Sequence, residues 1–205
     1  MAEGDPGFRP GVDGLAADAS SLDTLRPMST AERTGEARTQ VRVTVAGRGD
    51  VNVVTGVSVL DRLLELLAEY ASFDLALEVA PGGAEAEVQA AGRAFGRALS
   101  APLRAEGVRG HGSAVVPASE ALAHVALETS DEPLLVSNVD LTRARLGGMS
   151  TDLVAAFLRE VVDGASLTLH VRLIDGSDTH HVLEAIFKAF GVALAQACRP
   201  RRREE

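Results

Sequence analysis

Aromatic residues and cysteine are scarce in this chain. Its 205 residues include six Phe, one Tyr and no Trp, so aromatics make up only 3% of a sequence that is 46% hydrophobic. A core built mainly from Val, Leu and Ala is therefore expected. Because Cys198 is the sole cysteine, an intrachain disulfide and a four-cysteine zinc site are excluded, and a reducing, cytoplasmic location is expected.

Long apolar runs and an excess of positive charge are missing as well. No apolar stretch approaches the length of a transmembrane helix, and the N-terminus lacks the basic and then apolar order of a secretory signal, so we expect no membrane partner. The formal net charge of −9 argues against nucleic acid as a partner, because nucleic-acid binding usually needs a basic face. The basic and charged tail, residues 199–205, is interpreted as solvated.

Length and composition fit one compact domain or two small fused halves. Residues 1–30 are rich in Gly, Pro, Asp, Ser and Ala without a sustained period, which predicts a disordered N-terminal extension. An internal repeat divides the rest into a first half, residues 31–117, and a second half, residues 118–198.

The repeat is clearest where Ala-Phe-Gly-Arg-Ala-Leu at residues 94–99 matches Ala-Phe-Gly-Val-Ala-Leu at residues 189–194. Extending this register toward the N-terminus pairs polar residues of the second half with first-half counterparts. The pairs are His180 with Glu85, His181 with Ala86, Glu184 with Gln89 and Lys188 with Arg93. Only the second copy therefore carries imidazoles.

Hydrophobic periodicity predicts similar elements in both halves. Alternating Val residues predict a β-hairpin over residues 41–55 and a counterpart over residues 125–136. The other predicted elements are helices over residues 59–70, 84–99, 153–162 and 178–197, and strands over residues 72–79 and 166–173. The predicted fold class is α+β, with duplicated β-β-α-β-α half-domains, two outer sheets and helices packed between them.

The last of these helices carries the most informative polar pattern. Because an α-helix has 3.6 residues per turn, His180, Glu184 and Lys188 share one stripe. Asp178 or Thr179 can cap the first turn. The opposite stripe is apolar and is expected to face the core.

Two further histidines belong with this stripe. His181 projects from its edge, and His170 lies on the preceding predicted strand. Imidazole and carboxylate together suit manganese, iron or zinc, although adjacent histidines at an exposed helix start are often only solvated. The candidate metal ligands are His170, His180, His181 and Glu184.

Several motifs match a known family over residues 33–197. They are Thr55-Gly56, Leu60-Asp61, Ser72-Phe73-Asp74-Leu75, Val116-Pro117 with Glu120-Ala121-Leu122-Ala123, Thr168-Leu169-His170, and residues 180–189, His-His-Val-Leu-Glu-Ala-Ile-Phe-Lys-Ala. In these motifs the chain resembles imidazoleglycerol-phosphate dehydratase, the manganese lyase of histidine biosynthesis.

The resemblance implies a duplicated fold similar to the second domain of ribosomal protein S5. It also implies a homo-oligomer in which trimers build an octahedral 24-mer, and two manganese sites at subunit boundaries with ligands from both halves. For the site residues it implies Glu184 and Glu120 as catalytic groups, Lys188 and Arg109 as phosphate-binding groups, and Glu85 as a further metal-ligand candidate.

The sequence departs from the family pattern at positions that the chemistry needs. Arg62 stands where the family has a metal-binding histidine, and Ala86 and Gln89 replace a second histidine and a glutamate. Glu132 replaces a phosphate-binding arginine, and the C-terminal Ser-Thr-Lys-Gly signature is absent. A guanidinium cannot coordinate a metal and would repel one.

These departures predict a pseudoenzyme with a scaffold, assembly or regulatory role, which pairs with itself or with an intact paralogue. Two alternatives stay open, a metal-dependent lyase of altered substrate and residual dehydratase activity. Of the other polar residues, His111 is interpreted as a surface residue, His124 as lying between a helix and a strand, and Cys198 as buried and inert.

Overall fold

The structure, a computed structural model, describes residues 39–140, 145–146 and 149–201, together with the backbone of residues 29–33. Of the sequence-based expectations, the N-terminal extension and the charged tail lie largely outside these residues. The elements of the first half are β1 (Ser29–Arg33), β2 (Gln40–Thr44), β3 (Val51–Val54), α1 (Ser58–Ala71), β4 (Asp74–Glu78) and α2 (Ala84–Leu103).

The second half repeats this order with a short additional ribbon. Its elements are β5 (His111–Ala118), β6 (Ala121–Thr129), β7 (Leu134–Ser137), β8 (Arg145–Leu146), β9 (Met149–Ser150), α3 (Asp152–Ala165), β10 (Leu167–Asp175) and α4 (Thr179–Ala197). The described residues therefore confirm a duplicated α+β fold. Compared with the predicted β-β-α-β-α unit, the first half has one additional strand, and the second half has one additional strand and the two-stranded β8–β9 ribbon.

The two four-stranded sheets have the same topology. Their strand orders are β1-β2-β4-β3 and β5-β6-β10-β7, and in each sheet the last-named pair is parallel while the others are antiparallel. A parallel pair needs a crossover connection, and α1 supplies it between β3 and β4. α3 supplies the crossover between the parallel strands β7 and β10.

The hairpins predicted over residues 41–55 and 125–136 are wrong. β4 lies between β2 and β3, with Val43 and Val51 both opposite Leu75, and β10 lies between β6 and β7. Alternation indicates which side chains share a face of a sheet, but it does not indicate which strand lies alongside. The crossover connections through α1 and α3 decide the pairing, because each returns the chain to the middle of its sheet and not to the edge beside the preceding strand.

A hairpin that the sequence analysis did not predict joins β5 to β6. Ser119 adopts φ of 50° in the turn between them, and the pairing runs from His111 opposite Glu128 to Ala118 opposite Ala121. His124 therefore lies within a strand, not between a helix and a strand. Because β5 belongs to the second sheet, a division at residue 117 would cut through this hairpin.

The helices pack between the sheets, α1 against α4 and α2 against α3. Glycines allow the helix backbones to approach closely: a Cβ on Gly96 would lie 2.6 Å from the carbonyl oxygen of Val161. Phe157 stacks with Phe95 and Phe187 at ring-centroid distances of 6.4 and 6.0 Å. Three of the six Phe rings are thus stacked between α2, α3 and α4.

Among the residues that the structure describes, no helix combines the length and apolar character needed to cross a membrane.

Candidate functional site

The N-terminus of α4 is fixed by a side-chain cap. Asp178 has an extended backbone, with φ of −75° and ψ of 121°, and its Oδ1 accepts the backbone N–H groups of His180 at 2.9 Å and His181 at 3.2 Å. Of the two predicted caps, Asp178 is therefore the one used. The cap satisfies two of the otherwise unpaired N–H groups of the first turn and holds both histidines at the helix start.

The polar stripe of α4 forms a continuous ladder. His180 Nε2 lies 3.2 Å from Glu184 Oε1, and Lys188 Nζ lies 3.7 Å from Glu184 Oε2. Lys188 also lies over the ring of Tyr70 on α1, 5.6 Å from the ring centroid. The carboxylate and the ammonium are largely buried, with side-chain exposures of 18% and 16%. Both oxygens of Glu184 thus already have partners along the helix.

His181 turns to a different partner. Its Nδ1 lies 2.5 Å from Oε2 of Glu120, a residue of the turn between β5 and β6, and Glu120 Oε1 accepts the backbone N–H of Asp178 at 3.1 Å. Backbone hydrogen bonds to Glu120, its own and that of Asp178, and the His181 ring lower the pKa of the Glu120 carboxyl group. The imidazoles of His180 and His181 are inclined by 64° with their centroids 5.9 Å apart.

The remaining candidate ligands lie apart from this cluster. His170 alternates along β10 with the buried residues Leu169 and Val171, so it lies on the sheet face opposite α4. Glu85 lies in the first turn of α2, where it accepts from Gln89 at 3.4 Å. In the part of the chain that the structure describes, no three or more His, Cys, Asp or Glu residues are grouped closely enough to hold a metal ion.

The phosphate-binding candidates are also separated from one another. Arg109 lies beside the C-terminal end of α4, where its backbone N–H donates to the carbonyl of Arg199 at 2.9 Å, and its guanidinium lies 3.3 Å from His111 Nε2. Lys188 lies near the middle of the same helix. The turn that carries Glu132 is acidic and exposed, and its Asp131 forms an ion pair with Arg104 at 3.6 Å.

Arg62 borders the same cavity as the α4 ladder. Its helix, α1, begins beside a loop in which Thr55 donates through its backbone N–H and hydroxyl to Asp61, at 2.9 and 2.5 Å. The next residue, Arg62, lines a cavity of about 250 Å³ with His180 and Glu184. Apolar residues complete most of the lining, which also includes Ser58, Val59, Leu63 and Leu146.

Two relationships at the site were missed by the sequence analysis. Tyr70 contacts Lys188, and Glu120 contacts His181 rather than standing as an isolated base. The second had a partial signal, because Glu120 follows Ser119 at a turn between two alternating stretches. Neither could be found by spacing, since α1 and the β5–β6 turn are far from α4 in sequence.

Comparison with known proteins supports the duplicated α+β fold and shows the family of the chain. The imidazoleglycerol-phosphate dehydratase family model matches residues 55–194. A relative named imidazoleglycerol-phosphate dehydratase from Acetivibrio thermocellus is 40% identical over 85% of this chain and 91% of its own length. A second, of the same name, from Syntrophobacter fumaroxidans, is 42% identical with the same coverage.

Solved structures lead to the same family. The imidazoleglycerol-phosphate dehydratase of Staphylococcus aureus superposes with a TM-score of 0.77 at 30% identity, covering 85% of this chain and 99% of that one. The corresponding protein of Pyrococcus furiosus superposes with a TM-score of 0.70 at 25% identity, covering 85% and 96%. The chain belongs to the imidazoleglycerol-phosphate dehydratase family.

Proposed function

We propose that this protein is a pseudoenzyme of its family, with a scaffold, assembly or regulatory role instead of the parent dehydration. The observation that carries the proposal is the position of Arg62, which lines one cavity with His180 and Glu184. A guanidinium has no lone pair to offer a cation. The guanidinium of Arg62 is paired with the exposed Glu65 at 3.2 Å, so Arg62 adds no ligand at the position where the family resemblance calls for a histidine.

The donors of α4 add to this argument. Manganese would need several imidazole or carboxylate ligands together, and the described residues of one chain offer no such group. Glu184 is shared between His180 and Lys188, so a metal would have to displace an existing ion pair. The donor set of the single chain therefore does not fit the family's metal.

The residues expected to bind the substrate's phosphate are also altered in a way that disfavours the parent dehydration. Glu132 and Asp131 place negative charge in an exposed turn, where the family resemblance calls for an arginine. Lys188, the retained cation, is held by Glu184 and Tyr70. The acidic turn would repel a phosphorylated substrate, and the substrate's phosphate would have to compete with Glu184 for Lys188.

The assembly of the family is part of the proposal. We infer a cytoplasmic homo-oligomer of trimers that build a 24-mer, or co-assembly with an intact paralogue. Solution mass, measured with and without a chelator, tests this inference. We expect a large assembly that persists after chelation, which would show that packing and not metal coordination holds the subunits together. If only monomers are present, the inferred assembly is contradicted.

The loss of activity is tested with the purified full-length protein and excess Mn²⁺. Dehydration of imidazoleglycerol phosphate is expected to stay at background, while the Acetivibrio thermocellus relative, assayed in parallel, provides the positive control. The gene is also expected not to restore growth of a histidine auxotroph that lacks its dehydratase. Growth without added histidine would overturn the proposal.

One observation favours a second candidate, a metal-dependent lyase of altered substrate or with residual dehydratase activity. When Nδ1 of His181 donates to Glu120, its Nε2 keeps a free lone pair, the arrangement that carboxylates impose on metal-binding histidines. His180, Glu184, His170 and a neighbouring subunit's Glu85 are the other candidate ligands. Elemental analysis after incubation with manganese distinguishes the two candidates. Stoichiometric metal in the parent protein that is lost in His181→Ala would support the metal-dependent lyase, and a parent protein without bound metal would exclude it.

A further inference from the structure

An Asp-Gly pair, Asp175 and Gly176, lies in the link between β10 and α4. Asp175 is the last residue of β10 and is exposed, and Gly176 follows it with φ of 126°. The register of β10 against β6 shifts between Leu173 and Asp175, so the backbone leaves regular strand geometry at this point. Among the residues that the structure describes, the only hydrogen bond of the Asp175 carboxylate is to Gly176.

That hydrogen bond holds the Asp175 carboxyl group against the backbone nitrogen of the next residue. Gly176 donates through its N–H to Asp175 Oδ1 at 2.8 Å. Because Oδ1 is bonded to Cγ, the contact also keeps the nitrogen beside that carbon. Glycine has no Cβ that could shield its nitrogen. Holding two reacting groups at contact distance favours their reaction over that of freely moving groups.

We propose that this pair is a site of spontaneous covalent modification, at which Asp175 is converted through a cyclic succinimide to isoaspartate. The Gly176 nitrogen forms a bond to Cγ of Asp175, while the amide hydrogen and the carboxyl hydroxyl leave as one water molecule. A second water molecule then opens the ring. Opening at the main-chain carbonyl of Asp175 leaves the chain running through Cγ, whereas opening at Cγ restores aspartate. Water is the only co-reactant.

A second Asp-Gly pair provides an internal comparison. Asp163 is also exposed, but it lies with Gly164 inside α3. The helix commits the Gly164 N–H to a hydrogen bond with the carbonyl four residues back. A Cβ on Gly164 would lie 3.0 Å from the backbone nitrogen of Arg97 on α2, so this segment is closely packed as well. In the folded protein the same dipeptide is therefore expected to react at Asp175 and not at Asp163.

Conversion of Asp175 would change the start of α4, because isoaspartate adds one methylene group to the main chain. The link has no room for it: a Cβ on Gly176 would lie 2.7 Å from the Cα of Ala121. Ala121 follows Glu120, whose Oε1 accepts the backbone N–H of Asp178, the cap of α4, at 3.1 Å. A longer main chain at residue 175 therefore displaces the cap and weakens the contacts of Glu120 with the helix start.

Peptide mapping of the full-length protein after prolonged incubation at pH 6 and 37 °C tests the proposal. The succinimide peptide is lighter than the original by one water molecule, and the isoaspartate peptide has the original mass but a different retention time. We expect conversion at Asp175 to exceed conversion at Asp163 by at least about tenfold, as the held contact predicts. In urea both positions are expected to convert at similar rates, because the helix that protects Asp163 is then absent.

Asp175→Glu is the matched variant, since it keeps the charge but would have to close a six-membered ring, which forms much more slowly. We expect no modification at residue 175 in this variant. Urea unfolding of the incubated parent protein should show a population that unfolds at lower urea concentration. The incubated Asp175→Glu protein should lack this population.

Native protein in which Asp175 stays intact while the urea-unfolded protein converts would overturn the proposal, as would equal conversion at Asp175 and Asp163 in the native state. Both outcomes come from the parent protein, so they decide even if Asp175→Glu fails to fold, as judged by circular dichroism. An unchanged unfolding curve after conversion would contradict the displacement of the α4 cap. None of these measurements depends on dehydratase activity, so the result is independent of the proposed function.

Discussion

Glu120 and His181 are joined across sixty-one residues of sequence by a contact of 2.5 Å between Oε2 and Nδ1. The contact ties the β5–β6 turn to the start of α4, and Glu120 Oε1 extends it to the backbone of Asp178. A single carboxylate thus positions the capping residue and the imidazole together. Through the hydrogen bond to Nδ1 it also determines which nitrogen of His181 faces outward with a free lone pair.

The Glu120 contacts predict a pH-dependent contribution to stability. Backbone hydrogen bonds and His181 lower the pKa of Glu120 below its ordinary value of 4.5, so the folded state binds this proton less readily than the unfolded state. The contribution is therefore fully present above pH 4.5 and is lost as the pH falls through the lower, folded-state pKa. Urea unfolding of the parent and Glu120→Gln proteins between pH 3 and 7 measures it.

We expect Glu120→Gln to lower the free energy of unfolding near neutral pH and to converge with the parent protein at the acidic end. Glu106→Gln, which removes an exposed glutamate from the loop after α2, is the control. A Glu120→Gln effect that is equally large at pH 3 and pH 7 would show that the carboxylate charge plays no part.

The close approach of α2 and α3 predicts that Gly96 cannot be enlarged. A Cβ at this position would lie 2.6 Å from the carbonyl oxygen of Val161, so Gly96→Ala must separate the helices even though Ala is the better helix former. We expect a loss of roughly 1–3 kcal/mol, measured by urea unfolding. Gly83→Ala, where a Cβ would meet nothing within 4 Å, should cost less than about 1 kcal/mol.

The Glu184–Lys188 pair is expected to contribute more than an exposed ion pair. Its side chains are 18% and 16% exposed, against 57% and 45% for Arg62 and Glu65 on α1. A double-mutant cycle with Glu184→Gln and Lys188→Met should give a coupling energy of about 0.5–3 kcal/mol. The cycle with Arg62→Met and Glu65→Gln should give about 0.2–1 kcal/mol. Equal couplings would mean that burial adds nothing to the α4 pair.

The single thiol is expected to be unreactive in the folded protein. Burial raises the pKa of Cys198 from 9.0 to about 12, so almost none of it is the nucleophilic thiolate at pH 8. Iodoacetamide at pH 8 should leave Cys198 unmodified in the native state and alkylate it in urea, as followed by intact mass. Rapid modification without denaturant would contradict the buried position and point to opening of the α4 C-terminus.

The sequence by itself determined the helices and the polar ladder. The 3.6-residue period placed all four helices within a few residues of their bounds, and it put His180, Glu184 and Lys188 on one stripe because that geometry is local to a helix. The internal repeat revealed that Ala86 and Gln89 are the counterparts of His181 and Glu184. Each of these conclusions depends only on residues a few turns apart, or on register between two copies.

Only the tertiary structure decided which strands pair and which side chains meet. The crossover helices place β4 and β10 inside their sheets, so the alternating stretches that suggested hairpins are separated by a strand. The same folding brings Arg62 to the cavity of His180, turns His170 to the opposite sheet face and brings Glu120 to His181. These contacts join elements distant in sequence, and their positions follow from how the helices pack between the sheets, which no local pattern of residues records.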